Sequence, residues 1–319
     1  MDQSSLNLPE NKQSSARPLV SVVLATYEPD SEMIVESLKS VGNQTYENVE
    51  LVVIDGSDLD WMRTLAEEHD WIEYRYQEPS GLPAAWNAGI AAASGKYVCF
   101  LADDDYYAPD KLNHQVDTLE DGYDIVYSDE FLVSETGKVT YLSALPVENP
   151  ESHYIDFFRT GHGVPHLTVI GRTECFETES FDEKLDVRED PHLWVRLFKH
   201  HSVAKIDEPL AYKRTRDNSV TSNPELMYEN ECREINMLCD TFPELREYRE
   251  ERERMAIYRY GKQLFHAGRT GEARRVFLGL LRKGMIDHRV LALLGASLLP
   301  VKNEGAFRLL QKTQEVLPV

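Results

Sequence analysis

The chain has 319 residues, enough for one large α/β domain and a smaller appendage, each with a buried core. A hydrophobic content of 42% with 10% aromatic residues is that of a globular protein, and no run reaches the roughly 18 apolar residues that a membrane span requires. Fifty-five acidic against 34 basic side chains, a net charge of −21, repel nucleic-acid phosphates and exclude that class of partner.

Residues 1–17 are polar and lack the apolar core of a secretory signal, so they read as a disordered leader of a cytoplasmic protein. From Leu19 the pattern alternates between strand and helix. Strands are expected at Leu19 to Ala25, Val49 to Ile54, Ile72 to Tyr76 and Lys96 to Leu101. Helices are expected at Ser31 to Val41, after Asp58, and at Pro83 to Ala93. This alternation predicts an α/β fold, Rossmann-like, with a mainly parallel central sheet and helices on both faces. Ligands then gather beyond the carboxyl ends of the strands. A strand at Asp124 to Ser128, a hairpin around Glu135 to Gly137 and a strand near Leu167 to Ile170 follow. From Pro224 the chain reads as helices, including Tyr258 to His266 and Thr270 to Leu281 about a turn at Gly268. The division is therefore a catalytic domain over 18–223 and a helical extension over 224–319.

The chemistry is concentrated where the fourth strand ends, in Phe100-Leu101-Ala102-Asp103-Asp104-Asp105-Tyr106-Tyr107-Ala108-Pro109. Three consecutive carboxylates repel one another unless a cation joins them, and hard oxygen ligands of this kind favour Mg²⁺ or Mn²⁺, which bridges a diphosphate. The competing role is an acidic turn that caps the helix beginning at Pro109. His162 and His166 have the spacing of a helical zinc pair, but Gly161, Gly163 and Pro165 argue against a helix there. They read as surface histidines, with a place on the acceptor side of the cleft as the other choice. Ser94-Gly95-Lys96 lacks the upstream glycine and the following helix of a phosphate loop. Cys99, Cys175, Cys232 and Cys239 show no C-x-x-C spacing and read as buried, reduced thiols.

Ser21 to Tyr27 closes the first strand, Ile54-Asp55-Gly56-Ser57-Asp58 closes the second, and Gly81-Leu82-Pro83-Ala84-Ala85-Trp86-Asn87-Ala88-Gly89 precedes the acidic strand. Together with the acidic motif, these segments resemble the family 2 glycosyltransferases over roughly Pro18 to Thr221. The resemblance implies the GT-A fold and transfer of a sugar from a nucleotide-diphosphate donor, with a UDP-sugar as first choice. It places Thr26, Tyr27 and Glu28 along the nucleotide pocket, Asp55 on the base and Asn87 near the ribose or phosphates, with an ordinary turn as the alternative role of Asp55. Ala102 departs from the family's usual aspartate. The ligand pair is then Asp103 with Asp105, or Asp104 with a water-bridged neighbour, and Asp104 is the first choice.

A second acidic site, Arg188-Glu189-Asp190-Pro191-His192-Leu193-Trp194, matches the place where such enzymes keep the base that deprotonates the acceptor, Asp190 ahead of Glu189. Capping of the following helix is compatible with that role. An inverting transfer needs a base on one side of the anomeric carbon and leaving-group stabilisation on the other, which two separate clusters provide. Tyr212-Lys213-Arg214-Thr215-Arg216 resembles the family's loop over the diphosphate, with Arg216 where histidine is frequent. Arg214 and Arg216 are the diphosphate contacts expected there, and surface ion pairing is their other fate.

Gly261, Leu264, Ala267, Gly268, Glu272, Ala273 and Phe277 outline one tetratricopeptide-like hairpin, or more simply a helical cap. Arg254, Arg259, Lys262, Arg269, Arg274, Arg275, Arg282 and Lys283 lie against Glu272 alone. With the apolar run Val290 to Leu299 they suggest peripheral docking on anionic membrane, set against pairing with the acidic body. The expected partners are therefore a nucleotide-sugar donor and a glycan or lipid-linked acceptor, as in surface-glycoprotein N-glycosylation or polysaccharide assembly. The acidic surface suits a haloarchaeal, high-salt cytoplasm. Two rival readings are a sugar-phosphate nucleotidyltransferase, whose glycine-rich loop is missing after the first strand, and a non-catalytic helical scaffold with a degenerate α/β domain.

Overall fold

Val20–Thr26 (β1) and Val49–Asp55 (β2) are buried at every position, as expected of strands covered on both faces of a sheet. In the computed structural model, which describes residues 8–9, 16–216 and 219–298, they pair in parallel, Val20 opposite Val49 through Thr26 opposite Asp55. Ser31–Gly42 (α1), capped by the Asp30 carboxylate on the amides of Glu32 and Met33, and Asp60–Glu68 (α2) link β1, β2 and Ile72–Tyr76 (β3). Leu82–Ala92 (α3) carries Pro83 in its first turn and leads into Tyr97–Ala102 (β4). Short Tyr106–Tyr107 (β5), Lys111–Glu120 (α4), the hairpin Ile125–Ser134 (β6) and Val139–Leu142 (β7), and His153–Thr160 (α5) follow. Then come Ile170–Arg172 (β8), Thr173–Thr178 (α6), Glu189–His200 (α7) and Val203–Thr215 (β9).

The sheet order is β3-β2-β1-β4-β8-β6-β9-β5, with β7 on β6. β1–β4, β6 and β9 run one way, and β5, β7 and β8 run against them. The mainly parallel α/β sheet is thus present. The strand expected near Leu167 to Ile170 is instead a 3₁₀ turn over His166–Thr168 followed by β8. The longest strand, β9, had no counterpart in the sequence reading. Gly95 marks the amino end of the sheet, where a Cβ would stand 2.7 Å from the Ser21 nitrogen and 2.8 Å from the Leu19 carbonyl oxygen. Its amide and that of Ser94 serve Ser21 and the buried Glu50, so this segment locks β1 rather than holding phosphate. The four cysteines are unpaired thiols, three of them buried.

The chain divides into two compact units, Met1–Phe158 with His162–Asp217 and Arg159–Gly161 with Asn218–Val319, where the sequence had suggested a boundary near Asn223. Of the expected leader, only Leu8, Pro9, Ala16 and Arg17 are among the described residues. Leu8 packs on the core of the first unit and the Pro9 carbonyl accepts from Trp71 Nε1 at 3.0 Å, so these two residues are docked.

The second unit contains Pro224–Thr241 (α8), Arg249–His266 (α9), Thr270–Arg282 (α10) and His288–Ser297 (α11). The α9–α10 hairpin turns at Gly268, with φ +75°, and closes on Gly261, where a Cβ would lie 2.7 Å from Phe277. Phe277, Leu264, Phe265, Ala273, Leu280, Val290 and Leu293 form its core. Arg252 is fully buried between Glu231 and Glu234. The expected cationic island is partly neutralised inside the unit. Arg254 pairs with Glu250, Arg259 with Glu231, and Arg269 with Glu225 and Glu272, while Arg274 donates to the Ser297 carbonyl. Val290 and Leu293 of the apolar run are spent on the core, Leu291 and Leu298 are exposed, and Leu299 lies outside the described residues. Among the described residues no helix is long and apolar enough to cross a membrane.

Candidate active site

The loops after β1, β2, β4 and β9 and the start of α7 carry the residues singled out above. Three of them bend the backbone into the left-handed region at non-glycine positions: Glu28 with φ 46°, Asp58 with φ 55° and Arg188 with φ 71°. Each such residue costs of order 1 kcal/mol, and such strain collects at functional loops. At the end of β1, Thr26 is buried and its hydroxyl donates to Asp103 Oδ2 at 2.7 Å. Tyr27, 58% exposed, stands beside Gly56, where a Cβ would lie 3.0 Å from its ring. Exposed Tyr76 closes β3 opposite Asp55, so two open aromatic faces flank the carboxyl ends of β1 and β3. The Glu28 amide donates to Ser57 Oγ, and its side chain is exposed.

Two expected contacts are committed elsewhere. Asp55 is fully enclosed and accepts from the amides of Ser57 and Leu59, both at 2.7 Å, and from the Tyr74 hydroxyl at 2.9 Å; in this structure it holds its turn. Asn87 exchanges hydrogen bonds with the main chain of Phe181, each 3.0 Å, tying α3 to the segment before α7.

The acidic triplet has three distinct environments. Burial raises the pKa of Asp103, against the Thr26 hydroxyl, which lowers it. Asp104 is half-buried and its carboxylate meets the Arg216 guanidinium. Asp105 is buried, accepts from the Arg214 amide at 2.7 Å, and is held above the ordinary carboxylate range by burial and by Asp104. Ser37 of α1 donates to the carbonyls of Asp103 and Asp105 and so pins the loop. The Arg214 guanidinium lies 4.8 Å over the Tyr106 ring and reaches the Asp104 carbonyl and Glu36. Tyr106 stacks on Tyr212 at 4.6 Å. Arg214 therefore clamps the loop in this structure.

The second cluster opens α7. Arg188 is the cap residue, with no side-chain capping bond, and Glu189 and Asp190 occupy the first turn, where negative charge complements the helix dipole. Glu189 is buried, and burial together with Asp190 raises its pKa, against Arg188 and Lys213, which lower it.

Lys213 connects the two clusters. Desolvation lowers its pKa, but Glu130, Asp105, Asp190 and Asp104 outweigh that and raise it. Lys213 is nevertheless exposed to solvent. Lys213 pairs with Leu132 across β6–β9, so pleating puts it on the same face as Glu130. The register slips around Asp129 and Phe131, beside Pro209, an irregularity of the kind that re-aims side chains next to active sites. Consecutive Asp129 and Glu130 then differ. Asp129 accepts from Lys205 at 2.7 Å and from the Ala144 amide at 2.7 Å. Buried Glu130 has no partner for Oε2, and burial brings its pKa up to about 7, against Lys213. Lys213 and Glu130 were missed from sequence; a lone lysine ending the apolar stretch Leu210-Ala211-Tyr212 is the signal that was available. His166 corrects the surface reading. Its ring lies 4.9 Å from Trp86 and Phe100 and 5.7 Å from Trp194. Both its nitrogens are shut off from solvent and unpartnered, and burial pushes its pKa down to about 3.

The sequence profile of Glycosyl transferase family 2 matches residues 21–173. A glycosyltransferase of Rickettsia typhi, itself uncharacterised, is 31% identical over 223 residues, covering 66% of this chain and 68% of that one. The chain belongs to glycosyltransferase family 2. EpsH of Bacillus subtilis, assigned only provisionally as a glycosyltransferase, is 27% identical to this family 2 enzyme over 84% of the chain and 83% of its own length. The crystal structure of S. aureus TarS 1–349 with UDP-GlcNAc and the solved structure of a Pyrobaculum calidifontis mannosyltransferase with GDP-Man and Mn²⁺ share its fold. TM-scores are 0.58 for both at 17% identity, covering 88% and 96% of this chain and 79% and 87% of theirs. The sheet with its helical extension is therefore of the GT-A type.

Among the described residues, no three His, Cys, Asp or Glu side chains form a ready ligand set. The family 2 loop fits a divalent cation of the kind that takes one or two protein carboxylates and completes its shell with phosphate oxygens and water. Asp104 already attracts a cation, Arg216, and Asp103 lies beside it. Asp105, turned inward on the Arg214 amide, does not suit a ligand role.

Proposed function

We propose that this family 2 glycosyltransferase moves a sugar from a nucleotide-diphosphate donor, with a UDP-sugar as the working choice, to a hydroxyl or phosphate of a glycan or lipid-linked acceptor. The transfer inverts the anomeric centre. The observation that carries this reading is the convergence of Asp104 and Asp105 of the triplet and of the Glu189–Asp190 pair on Lys213, a proton acceptor and a cation at one cleft. The nucleotide sugars bound by the two solved neighbours support the donor class. Tyr27 and Tyr76 offer faces for the base, Thr26 positions Asp103, and Asp55 and Asn87 shape the walls. Glu28 lies at the rim.

In the proposed step Asp190 takes the proton of the acceptor hydroxyl as its oxygen bonds to the anomeric carbon. The bond from that carbon to the diphosphate breaks, and its electron pair leaves with the diphosphate. Lys213 and Arg216 face the charge that develops on the leaving group. A Mg²⁺ or Mn²⁺ ion held by Asp104 with Asp103 would supply further neutralisation of the diphosphate. An ionised acceptor phosphate leaves Asp190 an orienting role only.

A screen of UDP-, GDP- and dTDP-sugars with Mn²⁺ or Mg²⁺ tests the reading. Nucleoside diphosphate release is expected, reduced on the order of a hundredfold in Asp104→Ala. Pyrophosphate release from nucleoside triphosphate plus sugar phosphate would instead establish the nucleotidyltransferase. We also propose peripheral contact with anionic lipid on the cytoplasmic face, and a high-salt cytoplasm as its setting. With Arg274 engaged internally, the cations left for lipid are Arg275, Arg282 and Lys283 near exposed Leu278 and Ile286. Reversing these three charges is expected to abolish flotation with phosphatidylglycerol vesicles, at about 1 kcal/mol per cation. Undiminished flotation would refute the contact.

A further inference from the structure

Arg214 and Arg216 lie two residues apart, yet they are held in opposite ways. Arg214 is fixed by the Tyr106 ring, the Asp104 carbonyl, Glu36 and its own amide on Asp105. Arg216 lies one residue beyond β9, its side chain 41% exposed, and meets the Asp104 carboxylate, which is 17% exposed. That carboxylate is also the member of the triplet best placed for a divalent cation, since Asp103 is tied to Thr26 and Asp105 faces inward. A guanidinium and a divalent cation cannot share one carboxylate at contact distance without strong repulsion. One of them must leave. A partly exposed ion pair is weak, so displacing Arg216 costs little when another anion is ready to receive it. A diphosphate is such an anion, and its oxygens match the guanidinium fork.

We infer that Arg216 is an exchangeable counter-ion, which occupies Asp104 in the free enzyme, yields it to the divalent cation, and passes its guanidinium to the donor diphosphate. The inference rests on the metal-assisted reading above and adds a coupling to it. Metal binding frees the arginine for nucleotide, and nucleotide draws the arginine away from the metal's carboxylate. Each ligand therefore strengthens the other beyond their direct contact, by the same factor in both directions. Arg216 acts as a positioning residue for the metal and as a contact for the diphosphate.

The test is Mn²⁺ binding to the full-length protein, followed by the free-ion electron paramagnetic resonance signal, with and without UDP and separately GDP. Arg216→Gln removes the resident cation and is expected to bind Mn²⁺ alone roughly fivefold more tightly than the native chain. The tightening of Mn²⁺ binding by UDP or GDP should shrink in Arg216→Gln by a similar factor, and Arg216→Lys should fall between. A fold check by circular dichroism accompanies each variant. Equal or weaker Mn²⁺ binding by a folded Arg216→Gln, or an undiminished nucleotide effect, overturns the exchange and leaves the proposed transferase intact. If neither protein binds Mn²⁺ while sugar transfer proceeds, the metal-assisted reading fails and the exchange fails with it.

Discussion

Asp190→Asn is expected to lower kcat by roughly 10²- to 10⁴-fold, the usual worth of a general base, while Glu189→Gln retains most of the native rate. The two carboxylates are neighbours in the first turn of α7, but burial separates them: Glu189 is 7% exposed and Asp190 is half-buried. With its pKa raised by burial and by Asp190, Glu189 keeps its proton beyond the ordinary carboxylate range, and a glutamine imitates that neutral form. The pH dependence of stability separates them further. The native state holds a proton that the unfolded chain releases near 4.5. The stability contributed by this carboxyl is therefore complete below that value and is lost as pH rises towards the raised one. Glu189→Gln removes the loss, so its Tm relative to the native protein should improve between pH 5 and pH 8. Steady-state kinetics with the identified donor and thermal melts check both. Equal losses of kcat in the two variants would sink the assignment of the base.

The second large effect is expected at Lys213. Lys213→Met leaves Glu130, Asp105, Asp190 and Asp104 around an uncharged side chain. It also removes a cation that faces the leaving group in the proposed step. Loss of one such preorganised contact lowers kcat by about 10²- to 10³-fold, here with KM for the donor raised as well. Because Lys213 interacts with these acids only when they are ionised, the drop in Tm should be larger at pH 8.5 than at pH 6. Its own raised pKa keeps the ammonium charged throughout that window, with loss only above the ordinary 10.5. A variant with native kcat and KM would show that Lys213 merely balances buried charge.

Other parts of the site have structural duties that rank below these two. Arg214 holds the acidic loop through Tyr106, Glu36 and Asp104, and Asp55 holds the turn after β2. The family resemblance implies a ligand contact for both, with surface ion pairing as the other role of Arg214 and an ordinary turn as that of Asp55. Their actual partners are main-chain amides, carbonyls and neighbouring side chains, which satisfy buried polar groups before any ligand arrives.

The alternation from β1 to β4, the helical hairpin at Gly268 and the acidic strand end at Asp103 to Asp105 follow from local sequence. Side-chain periodicity, turn residues and charge repulsion act over a few residues and leave a readable pattern. Strand β9 did not, because Lys205, Asp207 and Glu208 interrupt its alternation and Pro209 sits at an irregular register with β6. That pairing, between segments about eighty residues apart, puts Glu130 and Lys213 on one face and brings Lys213 within electrostatic reach of Asp190. Local sequence was enough for the kind of fold and the family, and it drew attention to the acids at Asp103 to Asp105 and at Glu189 and Asp190 but not to Glu130. Only the tertiary structure decided which cation stands among them and which polar residues are already spent, because nonlocal strand pairing and burial set those contacts.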